Sequence, residues 1–299
     1  MTTYTRRGIL SLAAAFFVLA ALPTPAHAMQ GIGMSPTSQD LELTPGTAKT
    51  GTFTVINDGT TDVTYKLYAT DYHVNDEGYV GDFDVTGAPA NVSAVSWVKL
   101  PAGKFVVKSN DQTVVNYTIT PPKTAAVGGH YLTIFAETVP PASPGGTRIA
   151  RIDRIGMLMY LAVGGDLKRQ GELRPLDVPW LQSVAPVRAA VRVINTGNTH
   201  FPVEGTAQLK NIFGGNVGKA APLKGAVLPQ TTRKFSLQLS SPKPIGLYRV
   251  VAKVTYLDQT KEVAAWVLLV PKLTFLIVSG SLMLLLIGGF VWLVRRRRR

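Results

Sequence analysis

A strand-and-turn motif occurs twice in the chain, as Phe53-Thr-Val-Ile-Asn-Asp-Gly59 and as Val191-Arg-Val-Ile-Asn-Thr-Gly197, with Val63 and Phe201 following at equal spacing. A strand that ends in Asn-x-Gly and gives way to a second strand is a β-signature, and its glycine is expected to supply the positive φ of the turn. A second echo pairs Gly129-His130-Tyr131 with Gly246-Leu247-Tyr248, each after a proline-containing turn and each opening a long apolar strand. Two copies of one architecture follow. The two tyrosines suit either a tyrosine corner, with the hydroxyl bonded to nearby backbone, or simple strand preference.

Alternation with a period of two runs through the rest of the middle. Phe53 and Val55, then Val63, Tyr65 and Leu67, then Val115, Tyr117 and Ile119 alternate with polar residues. Tyr131 to Val139 and Ile155 to Val163 flank a long Pro/Gly-rich loop from Pro140 to Gly146, and read as a hairpin. Val187–Ile194, Phe235–Leu239, Leu247–Tyr256 and Val263–Val270 continue the series. Short strands at this spacing predict an all-β chain of two immunoglobulin-like β-sandwich domains, residues 29–165 and 172–272, joined by a linker at 166–171.

The two ends predict where the chain resides. Arg6-Arg7, an uncharged stretch from Gly8 to Leu22 and an Ala26-His27-Ala28 site make residues 1–28 a secretory signal peptide. Leu273 to Val294 carries no charge, and at about 1.5 Å per residue it reaches about 33 Å, enough to cross a bilayer core. Arg295, Arg296, Arg297, Arg298 and Arg299 follow it and are the expected topology determinants, held in the cytoplasm. The expectation is a single-pass protein of the cell membrane, with both domains outside and a basic tail at 295–299 inside.

The net charge of +13 suggests nucleic acid until it is placed. Much of it sits at the two ends beside apolar runs, so it reads as membrane-targeting charge and nucleic acid is not an expected partner. Residues 29–165 sum to −3 and residues 166–272 to +9. The basic domain is the one next to the membrane, which makes anionic lipid or an acidic wall polymer its expected neighbours.

Chemistry-bearing motifs are sparse. The absence of cysteine excludes disulfides, thiolate metal sites and thiol nucleophiles. His73, His130 and His200 lack metal-ligand spacing, and surface or edge positions are expected for His130 and His200. Neither a nucleophile elbow nor a phosphate-binding loop is present, so no catalytic residue, cofactor or metal is expected and the chain reads as a non-enzyme. Asp71, Asp76, Glu77, Asp82 and Asp84 cluster in one connection. Such carboxylates can hold calcium, but without EF-hand spacing they fit a solvated hairpin better. Alternation places Val95 and Trp97 in a core, Trp266 near the lipid interface and Trp180 in an exposed segment. Trp180, Asp76 and Glu77 are the candidate ligand contacts.

The order of short motifs carries a resemblance. Pro45-Gly46 leads into Gly51–Gly59, followed by Asn75-Asp-Glu-Gly-Tyr79, Ser96-Trp-Val-Lys-Leu100, Val114–Pro122, Gly128-Gly-His-Tyr131 and Met159-Tyr-Leu-Ala-Val163. This order resembles the N-terminal domain of the WxL-interacting family of bacterial surface proteins. The resemblance implies binding of peptidoglycan through the first domain and of a secreted surface protein. The first domain is also similar, more weakly, to periplasmic pilus chaperones, which implies the alternative of an assembly factor acting by β-strand addition.

Changing Arg295 to Arg299 to serine is expected to weaken membrane retention or to invert a fraction of the molecules. Protease accessibility of the region before Lys272, in cells stripped of wall, measures both. Unchanged retention and orientation would show that the tail is not the determinant.

Overall fold

The computed structural model describes residues 31–83, 93–140, 151–183, 185–240 and 245–297. The signal segment, Asp84, most of the 140–146 loop, Arg298 and Arg299 lie outside the described residues.

The first domain is a sandwich of two sheets. One holds β1 (Ile32–Ser35), β3 (Lys49–Asn57), β9 (Asp111–Ile119) and β7 (Val98–Lys99), in the order β1-β3-β9-β7. The other holds β2 (Ser38–Leu43), β11 (Arg154–Val163), β10 (Gly128–Thr138), β4 (Val63–Asp71) and β8 (Lys104–Val107), in the order β2-β11-β10-β4-β8. The small hairpin of β5 (His73–Val74) and β6 (Gly81–Asp82) stands apart from both sheets. Alternate residues of each strand face inward as the period of two requires, and Phe53, Tyr65, Ile119, Leu132, Ile134, Met159 and Leu161 fill the core. Full burial of such side chains contributes roughly 1.5–3 kcal/mol each.

The second domain repeats the plan. β12 (Gly171–Leu173), β14 (Val187–Asn195) and β18 (Thr232–Leu239) form one sheet, with β18 at its edge. The other sheet runs β13-β20-β19-β15-β16: β13 (Leu181–Gln182), β20 (Gln259–Leu269), β19 (Gly246–Tyr256), β15 (Phe201–Asn211) and β16 (Asn216–Lys219). β17 (Leu223–Val227) also pairs with β15. Val191, Phe201, Leu209, Leu237, Val250, Tyr256 and Val267 fill this core. A helix, α1 (Lys272–Arg297), follows two residues after β20 and is long and apolar enough to cross a membrane.

The repeated Asn-x-Gly motif does turn the chain between two strands, but its physical role goes beyond the expected positive φ. In each domain it carries the chain from one sheet to the other, from β3 to β4 and from β14 to β15. Asn57 and Asn195 are fully buried. The Asn57 amide donates to the Thr61 carbonyl at 2.8 Å and to the Val107 carbonyl at 3.1 Å, while its oxygen accepts from the Gly59 N–H at 3.0 Å. Asn195 repeats this with Thr199, Val227 and Gly197, each at 2.8 Å. Each asparagine thus satisfies the corner's buried backbone groups and fixes the corner to a strand end. The glycine at 197 does not have the positive φ expected of it. It is required by close approach: a Cβ there would collide with the Lys168 carbonyl.

The second echo is also steric. Tyr131 folds back over Gly129 and Tyr248 over Gly246, where a Cβ would sit 2.9 Å from the Tyr248 ring. Val95 to Trp97 form a 3-10 turn rather than an alternating strand, yet both Val95 and Trp97 pack against the first core.

Asn195→Ala removes two buried donations and one acceptance, and is expected to lower stability by about 3 kcal/mol. Asn195→Asp keeps the acceptor and loses both donations, so it should fall nearly as far. Denaturant unfolding measures both, and a change below about 0.5 kcal/mol, the level of an ordinary surface substitution, would show that the corner does not depend on the plug.

Candidate binding surfaces

The two domains are joined by a polar and aromatic seam. The turn after Asn195 holds the linker through the Thr196 N–H to the Gln170 carbonyl (2.9 Å), the Asn198 N–H to the Lys168 carbonyl (3.0 Å) and the Lys168 N–H to Asn198 Oδ1 (2.7 Å). The Asn198 carbonyl accepts from the Gly129 N–H of β10 at 2.8 Å. Gly128 beside it has a φ of +129°, and a Cβ there would lie 2.7 Å from the same carbonyl, so both backbone and space demand glycine.

His200 lies at the centre of this seam. Its backbone N–H donates to the Tyr131 hydroxyl at 3.1 Å, its Nδ1 lies 3.2 Å from that hydroxyl, and its Nε2 lies 2.9 Å from Asp40 Oδ2. The network is consistent with Tyr131 donating to Nδ1 and Nε2–H donating to the carboxylate. Burial pushes the Tyr131 hydroxyl well above the ordinary tyrosine range, so it remains a neutral partner. The expectation of surface histidines is therefore corrected. His200 is buried between the domains, and His130 is buried against Trp97, its Nε2 within 2.9 Å of the Ala126 carbonyl. A single sequence cannot distinguish a turn histidine in water from one buried by a second domain.

The acidic connection meets the second domain on another side. Asp76 accepts from the Thr232 N–H at 2.5 Å, and Glu77 accepts from Arg192 at 2.7 Å, which also pairs with Asp177 at 2.7 Å. The Glu77 backbone bridges to β18: its N–H donates to the Thr232 carbonyl at 2.7 Å, and its carbonyl accepts from the Lys234 N–H at 3.3 Å. Glu77 and Tyr79 hold φ of +56° and +52°, a left-handed conformation that costs about 1–2 kcal/mol for a residue with a Cβ. The Tyr79 hydroxyl contacts Thr231 at 2.7 Å and accepts from the Leu228 N–H at 2.6 Å, while Arg233 covers its ring. Tyr72, Tyr131 and Leu228 make an apolar cluster between the domains. A cleft of about 470 Å³ opens beside it, lined by His73, Val74, His130 and Pro229 among others.

The structure thus turns Asp76 and Glu77 toward the second domain and leaves Trp180 exposed at a different place, before β13. It does not bring the three together. Among the described residues, no three His, Asp or Glu side chains converge as metal ligands.

One strand edge stands open. Among the described residues β18 has β14 as its one ladder partner besides the Glu77 bridge, in the register Lys234↔Arg192, Ser236↔Ala190 and Gln238↔Arg188. The parity that sends the Thr232 carbonyl and the Lys234 N–H toward Glu77 sends the N–H and carbonyl of Ser236 and Gln238 the same way. A groove of about 600 Å³ runs along this edge, between β18 and the Ala220–Lys224 segment.

No known family profile matches the sequence, and no curated protein matches it. The expected WxL-interacting resemblance therefore gains no family match. Among solved structures, the class 5 fimbriae chaperone CfaA is similar at 15% identity and a TM-score of 0.40, covering 81% of this chain and 100% of the other. The Pseudomonas aeruginosa CupB2 chaperone is similar at 13% identity and a TM-score of 0.38, over 78% and 98% of the two chains. The E. coli chaperone DraB is similar at 13% identity and a TM-score of 0.37, over 80% and 97%. At these identities the likeness concerns architecture alone.

Tyr131→Phe leaves the His200 amide and Nδ1 without their shared partner, and is expected to cost about 1–3 kcal/mol. Hydrogen exchange at the His200 amide should accelerate. Unchanged protection there would mean that the seam is held elsewhere.

Proposed function

We propose that this chain is a non-enzymatic, membrane-anchored binding protein whose two extracytoplasmic sandwiches hold an extended segment of a secreted protein partner by strand addition. The supporting observation is the open edge of β18. Its first outward-facing groups already accept a bridge from Glu77, and Ser236 and Gln238 continue the same row beside a groove. An added strand gains affinity from backbone hydrogen bonds, and selectivity from alternate side chains in the flanking groove. Lys234 is exposed on this edge, within a domain that sums to +9, so an acidic segment fits best. The joined domains serve this role by fixing Glu77 at one end of the edge, which leaves the remainder as the docking row. Anchorage through α1, with the arginine tail in the cytoplasm, keeps the partner at the envelope. This reading takes up the assembly-factor alternative in preference to wall-polymer binding.

Ser236→Pro deletes one outward N–H, a change that edge strands tolerate. The chain lacks cysteine, so Gln238→Cys carries a unique photo-crosslinker. The label is expected to crosslink a secreted polypeptide in intact cells, and Ser236→Pro to abolish that product while the protein keeps its level and unfolding midpoint. Crosslinks to glycan alone, or a polypeptide product unaffected by Ser236→Pro, would overturn the reading.

A further inference from the structure

The large exposed apolar side chains of the second domain gather at one end. Asn211, the last residue of β15, pairs with Tyr248, and Gly246 of β19 pairs with Leu269 of β20. The backbone N–H of Leu268 donates to the Trp180 carbonyl at 2.6 Å. The turn Asn211–Gly215, the start of β19 and the Trp180 segment therefore lie at the end where β20 finishes. Phe213 is 89% exposed at the tip of that turn, and Trp180 is 69% exposed. Ile212, Ile245 and Leu247 are exposed beside them. The Phe213 tip is built rather than loose: Asn211 Oδ1 accepts from the N–H groups of Phe213 and Gly215 at 3.0 and 2.9 Å. A preformed turn that presents a phenylalanine to solvent calls for an apolar neighbour.

The chain itself supplies that neighbour. Only Val270 and Pro271 separate β20 from α1, so Leu269 and Lys272 are at most about 11 Å apart. A bilayer crossed by α1 must lie directly below this end of the domain. Charge agrees. Arg188, Lys210, Arg249 and Lys272 lie on segments that reach this end; segments 181–188, 208–219, 245–251 and 264–272 contain no Asp or Glu, and Asp177, three residues before Trp180, is paired with Arg192. Aromatic tips at an end reached by these cation-bearing segments match the interfacial layer of a bilayer, where Trp and Phe partition at headgroup depth and basic groups meet lipid phosphates.

We propose that the second domain is seated on the outer leaflet, with Phe213 and Trp180 inserted at headgroup depth and Arg188, Lys210 and Arg249 on anionic headgroups. The proposal rests on the reading of α1 as a membrane span, and adds a second lipid contact that sets the domain's orientation. Seating at this end points the opposite end, with the seam and the first domain, away from the membrane.

The test uses the full chain reconstituted in phosphatidylcholine–phosphatidylglycerol vesicles, with single spin labels at Phe213→Cys, Trp180→Cys, Leu286→Cys and Gln259→Cys. Leu286 lies within α1, and Gln259 lies at the far end of β20. Oxygen and a water-soluble nickel complex compete as relaxing agents. The expected result is oxygen-dominated relaxation at 213, 180 and 286 and nickel-dominated relaxation at 259. Nickel-dominated relaxation at 213 and 180 with 286 still oxygen-dominated would overturn the seating and leave the span intact. Nickel-dominated relaxation at 286 would overturn both. Phe213→Asp with the label at 180 should shift that label toward the aqueous phase, and no shift would show that the tip does not hold the domain down.

Discussion

The Asn195 side chain settles more of this molecule than any other single group. It satisfies the buried corner between β14 and β15, and the corner it shapes places Asn198 and His200 where they meet the linker and the first domain. Buried backbone polar groups without partners are costly, so the corner has few alternatives once Asn195 is bonded. From there the relation between the domains follows. The Asn198 carbonyl requires glycine at 128, His200 requires the Tyr131 hydroxyl, and Tyr131 requires glycine at 129 for its ring. Asn57 performs the same task in the first domain, where its contacts among the described residues stay within that domain.

A joint fixed on one side lets the other side work as a template. Glu77 reaches across and completes the beginning of the β18 edge, in a left-handed backbone held by bonds within its own turn and by contacts with the second domain. Exposed edges are ordinarily blunted by charge, bulges or cover. Here Glu77 covers the first residues, Gly218 of β16 closes on the Ser240 carbonyl at the far end, and a groove lies between.

Much of the fold was legible in the sequence because its signals are local. Alternation located the long strands, and the repeated Asn-x-Gly located both corners, since each reports on residues within a few positions of itself. What those corners do was not legible. That Asn57 contacts Val107 and Asn195 contacts Val227 depends on separations of 50 and 32 residues. The glycine at 197 looked like a requirement of φ and proved to be one of space, because the obstructing carbonyl belongs to the linker. His200 looked like a surface residue for the same reason: the other domain covers it, and nothing adjacent in sequence says so, whereas Asp76 stays exposed while it accepts from Thr232. Trp180 could be read as exposed from its proline-flanked segment, and it is.

The two ends of the second domain face different demands, and their residues differ accordingly. At the seam, Asn195 and His200 are buried and paired within the protein. At the other end, the large apolar side chains Phe213, Trp180, Ile212, Ile245 and Leu247 are exposed. A soluble domain gains nothing from exposing a phenylalanine on a well-bonded turn, and solubility alone would favour a charge there. A domain held within about 11 Å of a spanning helix has a different solvent on that side, and the same side chain then removes apolar surface from water instead of adding to it. Composition at each end of the sandwich is thus set by what the end must face, while the strands between them are set by the core that they share.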